Sequence, residues 1–167
     1  MCSGQKGVVG IEPEKGTIIW DTLDWKVNTA TVASPVHCGG TDVFLCGGYK
    51  AGSQLLRLTP KSATFSVQRQ YKLSDEVMQD GRAFFGSEQH TPIFYEGKLY
   101  GVRTNGEMVC IDPATGKEVW ASGREHFFGL GPFIITPQGL MLTAADKGGR
   151  LELAETGGSK YTVLRTR

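Results

Sequence analysis

Apolar and polar positions along this chain alternate over short stretches, and the pattern predicts extended strands rather than amphipathic helices. Three stretches open on a proline that leads into an apolar run: Ser34-Pro35-Val36, Thr91-Pro92-Ile93 and Gly131-Pro132-Phe133. Proline is accommodated at the first residue of a strand, where its missing N–H does least harm. After a turn each run meets a second, Val43–Cys46, Leu99–Val102 or Leu140–Thr143. A third follows at Leu55–Leu58, Met108–Ile111 and Leu151–Leu153, and a fourth at Phe65–Tyr71, Glu118–Trp120 and Tyr161–Leu164. Ahead of these, Val8–Ile11 and Thr17–Trp20 read as the last two strands of a similar unit. The expectation is 14 strands in units spanning about 1–22 (incomplete), 31–73, 90–122 and 131–167. One helical turn is allowed for, at Ser74–Gln79.

A repeat marks the ends of two units. Residues 10–20 read GIEPEKGTIIW and residues 110–120 read CIDPATGKEVW. Both carry an acidic residue and Pro, then Gly, then Trp, with the Pro and Gly forming a turn between extended runs. Four short antiparallel strands recurring at this spacing predict the blades of a β-propeller. A β-sandwich also uses short strands, but it does not call for Gly-x-x-x-Trp at corresponding positions. The predicted fold class is therefore all-β, a partial propeller of about three and a half blades, or about half of a seven- or eight-bladed ring.

Composition narrows the function classes. Glycine is abundant (23 of 167 residues), as a turn-rich chain requires. Lys and Arg number 18 against 17 Asp and Glu, so there is no basic excess of the kind a nucleic-acid binder shows. No uninterrupted apolar run approaches the ~18 residues of a membrane-spanning helix. The first residues, Met-Cys-Ser-Gly-Gln-Lys, have no apolar signal region, and the compartment stays open between periplasmic or secreted and cytoplasmic. A mature lipoprotein beginning at Cys2 is one further reading. Cys2, Cys38, Cys46 and Cys110 form no CxxC pair and, with three histidines, no zinc-ligand spacing. Cys38 and Cys46 fall on the two strands of one hairpin, with Cys38 expected opposite Val43. That leaves Cys46 roughly 10 Å away at about 3.3 Å per residue, beyond disulfide reach. Free buried thiols are expected. Gly-x-Ser-x-Gly and His-Glu-x-x-His motifs are absent, and Gly129-Leu130-Gly131 runs into a proline rather than a helix.

The segment Gly97–Trp120, GKLYGVRTNGEMVCIDPATGKEVW, resembles the pyrroloquinoline-quinone (PQQ)-like propeller repeat, whose hallmark ending is matched by Ile111-Asp112, Thr115-Gly116-Lys117 and Trp120. The segments from Trp25 to Pro35, from Glu88 to Pro92 and from Phe128 to Pro132 are similar to a bacterial subgroup of PQQ-repeat proteins. The resemblance implies that Trp20 and Trp120 dock between neighbouring blades, with Tyr71 and Val163 or Leu164 near the same position in the other units. It favours a periplasmic or secreted location. It also brings in dehydrogenases that hold PQQ with calcium beside a pair of adjacent cysteines, a pair this sequence lacks. The same repeat occurs in non-enzymatic scaffolds, including an outer-membrane assembly lipoprotein and sensor domains. Two functions follow: a non-catalytic scaffold or binding module with no cofactor of its own, and a fragment of a PQQ-dependent alcohol dehydrogenase whose cofactor residues lie elsewhere.

In a propeller the links between blades share one face with the turns between second and third strands. That face would carry Trp25, Lys26, Asn28, Tyr49, Glu88, Gln89, His90, Arg103, Arg124, Glu125 and His126, with Lys50 and Lys147 nearby. Polar groups converging on loops of a rigid scaffold make it the candidate binding face for a peptide, a glycan or a small anion. An incomplete ring leaves open edges and uncovered sheet faces, so a homodimer, missing blades or a small ring borrowing strands is expected.

Overall fold

The computed structural model describes residues 2–4, 7–74, 76 and 84–167. The chain is all-β, with four antiparallel sheets formed in chain order. The first holds β1 (Cys2–Gly4), β2 (Gly7–Ile11) and β3 (Ile18–Thr22). The second holds β4 (Val36–His37), β5 (Asp42–Gly47), β6 (Gly52–Lys61) and β7 (Thr64–Leu73). The third holds β8 (Ile93–Tyr95), β9 (Lys98–Val102), β10 (Met108–Ile111) and β11 (Glu118–Ala121). The fourth holds β12 (Phe133–Ile135), β13 (Leu140–Ala144), β14 (Leu151–Glu155) and β15 (Thr162–Thr166). Within every sheet each strand pairs with its neighbour in sequence. All fourteen predicted strands appear, and β1 is an addition: Cys2–Gly4 pairs with β2 through Val9, Val8 and Gly7. Its polar, glycine-bearing sequence carries no apolar alternation by which to find it. The turn considered over Ser74–Gln79 lies largely outside the described residues, and a 3-10 turn occurs instead at Arg124–His126.

The last two strands of all four sheets share one irregularity. A β-bulge falls at Gly10/Ile11, Leu55/Leu56, Cys110/Ile111 and Leu153/Ala154. Just beyond it, Gly10 faces Trp20, Leu55 faces Tyr71, Cys110 faces Trp120 and Leu153 faces Arg165. Tyr71 therefore stands at the tryptophan position, as expected. In the fourth sheet the position belongs to Arg165, not to Val163 or Leu164, because the bulge inserts a residue that sequence spacing does not count. Gly10 is dictated by close approach: a Cβ there would lie 2.0 Å from Trp20 Nε1.

Side chains alternate across each sheet, so each inner sheet feeds two cores. Val43, Leu45 and Leu56 join Val8, Trp20, Trp25 and Val27 between the first and second sheets. Phe44, Cys46 and Leu55 meet Leu99, Val109 and Ile111 between the second and third. Tyr100, Met108, Cys110 and Trp120 meet Met141 and Ala154 between the third and fourth. Tyrosine hydroxyls stitch successive sheets together. Tyr71 donates to the Pro113 carbonyl at 2.7 Å, Tyr95 to Pro137 at 3.1 Å and Tyr100 to Thr156 at 2.8 Å. The first strands also approach one another, β8 touching both β4 and β12.

Cys38, Cys46 and Cys110 are free thiols. His37 pairs with Val43 and the Cys38 amide donates to Asp42, which moves Cys38 one residue from the expected register. Burial pushes the Cys38 thiol up to about 12 and Cys110 up to about 11, and raises Cys46 further still.

Candidate binding surfaces

Every link between sheets crosses the second-to-third-strand turn of an adjoining sheet, and this organises the predicted face. Link 84–92 leaves the second sheet with Glu88 packed over Gly48, where a Cβ would come 2.9 Å from the Glu88 Cα. It then reaches the third sheet through His90, whose Nε2 accepts the Val102 N–H at 2.8 Å. With Nε2 accepting, Nδ1 carries the proton and faces Ser87 Oγ at 3.3 Å, while that hydroxyl donates to the His90 carbonyl at 2.8 Å. The ring meets Phe133 edge-on at 5.4 Å, and burial lowers its pKa to about 4. His90 is thus a neutral strut between sheets, not a ligand group facing solvent.

Link 122–132 repeats the design. Phe127 bridges to Glu107, and the Phe128 N–H donates to the Gly106 carbonyl at 2.7 Å. The Asp146 N–H donates to Phe128 O at 3.1 Å, and the Asp146 carboxylate accepts the Leu130 N–H at 3.2 Å. His126 Nδ1 sits 2.9 Å from Oε1 of Glu152, whose side chain is only 2 % exposed. Tyr161 donates to the other oxygen at 3.0 Å, and Arg150 Nε lies 3.0 Å from Oε1 as an ion pair without hydrogen-bond alignment. Arg150 also stacks over Phe128 at 5.4 Å and donates to the Phe127 carbonyl at 2.8 Å. Charges buried this way are compensated internally and hold the link down.

Arg103 is likewise occupied. It is nearly buried, with its guanidinium paired to Glu107 and reaching Glu118 at 2.7 Å. Burial pushes the Glu107 carboxyl up, but hydrogen bonds from Arg103 and Asn105 outweigh it and leave Glu107 below the usual carboxylate range. Trp25 is a core residue at 1 % exposure, packed with Val27 near Gly47. Of the predicted face, Lys26, Asn28, Tyr49, Gln89, Arg124 and Glu125 are exposed. They are spread over three links and one turn rather than gathered on one.

Two surfaces were not legible in the sequence. Phe127 and Leu130 flank Arg124 and Glu125 at the junction of the third and fourth sheets, exposed to 46 % and 43 %. At the other end of the same two sheets lies an open groove of about 550 Å³, bordered by Tyr95, Glu96, Gln138, Glu155, Ser159 and Lys160. It forms where turns distant in sequence meet, and no local motif announces it. Among the described residues no group of three or more His, Cys, Asp or Glu is placed to hold a metal ion, and no helix is long and apolar enough to cross a membrane. No protein-family model matches the chain, and no curated protein matches it.

Proposed function

We propose that the four sheets are successive blades of a β-propeller of the PQQ-like repeat type, serving as a non-catalytic scaffold that binds a peptide segment of a protein partner on the face of the inter-sheet links. The propeller reading is supported by the recurrent bulge, by the Trp, Tyr and Trp that dock from one sheet onto the next, and by the approach of β4, β8 and β12. One observation carries the binding reading. His90, Arg103 and His126 are spent on holding links in place, whereas Arg124, Phe127 and Leu130 are presented to solvent on a link fixed at both ends. Arginine and aromatic side chains are the usual anchors of protein interfaces, and a rigid backbone lowers the entropy cost of using them. A PQQ- and calcium-dependent dehydrogenase reading would rest on residues outside this chain, since adjacent cysteines are absent and the described thiols are structural.

The test selects peptides from a randomised display library against the 167-residue chain. Selected peptides are expected to bind at least about tenfold more weakly to the Arg124→Ala/Phe127→Ala variant, a change of about 1.4 kcal/mol, with an unchanged melting temperature. Equal affinity for the variant, or no selectable binder, overturns the reading.

A further inference from the structure

The turn between β5 and β6 departs from the rule its counterparts follow. Positive φ is without steric cost only for glycine, and the corresponding turns place glycine there. Gly106, between β9 and β10, has φ of +85°, and Gly148 and Gly149, between β13 and β14, have +77° and +67°. Between β5 and β6 the two successive left-handed positions are Tyr49 at +56° and Lys50 at +68°. The Ala51 N–H donates to the Gly48 carbonyl at 3.1 Å across them, closing a turn of the type I′ kind, which favours Asn-Gly. A bulky side chain in this region is strained, and such strain persists only where the surroundings impose it.

Here the surroundings do impose it. The glycines of this stretch precede and follow the strained pair, and two links use Gly47 and Gly48 for close approach. A Cβ on Gly47 would lie 3.1 Å from Val27 and 3.6 Å from Trp25, and one on Gly48 would lie 2.9 Å from the Glu88 Cα. The links before and after the second sheet thus clamp the turn at its base, and its tip points outward. Tyr49 is 37 % exposed, and its hydroxyl makes no hydrogen bond among the described residues. The Lys50 side chain is 79 % exposed and lies 3.3 Å from Glu76, which is itself 61 % exposed. An ion pair so open to water contributes little and yields readily to another carboxylate. Lys26, between Trp25 and Val27, is exposed beside the same turn. The strain therefore serves the display of two side chains, as strained residues do at binding sites.

We propose that Tyr49 and Lys50 form an anchor for an acidic peptide segment: Tyr49 packs on the peptide, and Lys50, with Lys26 beside it, pairs with an Asp or Glu side chain of the ligand. The inference rests on the peptide-binding reading of the link face and adds the chemistry of its ligand. A tyrosine held in one backbone conformation offers a large contact area at low entropy cost. Lys50 exchanges Glu76 for the peptide carboxylate, and Glu76, already largely exposed, returns to water.

The double substitution Tyr49→Asn/Lys50→Gly installs the pair that a type I′ turn favours. Its melting temperature is expected to rise above that of the wild type, because the strain is relieved. Peptides selected from the randomised display library against the wild-type chain are expected to be rich in Asp and Glu. They are expected to bind the variant at least about tenfold more weakly. In a double-mutant cycle, Lys50→Ala and replacement of the peptide's acidic residue by its amide are expected to be non-additive. A fall in melting temperature overturns the inference, since the two side chains then hold the turn, and so do additive effects in the cycle. Peptides that need Arg124 and Phe127 but bind the double variant as tightly as the wild type overturn this inference alone. The absence of any selectable binder overturns both this inference and the peptide-binding reading beneath it.

Discussion

At the residue scale, His90 shows how a polar side chain on a predicted binding face becomes structural. Its acceptor nitrogen holds the Val102 amide, and protonation would remove that acceptor. Its folded pKa of about 4 lies below the ordinary 6.5. The unfolded chain therefore binds more protons between these values. This contribution is complete above about pH 6.5 and is lost as pH falls toward 4, to a total of about 3 kcal/mol. The difference in unfolding free energy between wild type and His90→Asn is expected to shrink over that window, measured by urea denaturation at successive pH values. Glu152 is the second such case. Replacing it with Leu strips Arg150, His126 and Tyr161 of their shared acceptor and is expected to destabilise by on the order of 3 kcal/mol in the same assay. Raised thiol pKa values give a third expectation. Cys38, Cys46 and Cys110 should stay unmodified by iodoacetamide at pH 8 in the folded protein, read by mass mapping.

At the element scale the recurring unit is a hairpin of third and fourth strands with a bulge just before the docking side chain. The bulge turns that side chain onto the next sheet, so the pair across it matters more than either strand alone. Gly10 and Trp20 form the tightest of these pairs. Gly10→Val forces Trp20 out of the core between the first two sheets and is expected to cost about 1–3 kcal/mol by denaturant midpoint. Trp120→Ala opens a cavity against Tyr161, Met141 and Ala154 and is expected to cost about 3–5 kcal/mol.

At the scale of the whole molecule, successive sheets share cores, so each sheet is stabilised by its neighbours. The fourth sheet meets the remainder of the described chain through its face toward the third. Loss of Trp120 should therefore uncouple it. In Trp120→Ala, hydrogen exchange is expected to release amides of β13 and β14 well before those of β5 and β9, with both groups exchanging more nearly together in the wild type.

The strands were legible in the chain because period-two alternation, prolines at strand starts and glycine turns are local signals. Thus fourteen strands and the tryptophan endings could be read directly. β1 escaped because three residues without apolar alternation carry no such signal. The candidate face was legible only as a set of loops. Whether a loop side chain faces solvent depends on what the link crosses, and tertiary packing turned Trp25, His90, Arg103 and His126 inward while leaving Arg124 and Phe127 outside. Arg165 belongs to the same class of fact. Its place opposite Leu153 follows from a bulge that shifts register by one residue. The sequence by itself determined the strands, their turns and the two tryptophan endings, since these depend on neighbours in the chain. Only the tertiary structure decided which polar groups are consumed within the fold and which link side chains stay exposed, since these depend on contacts between residues far apart in sequence.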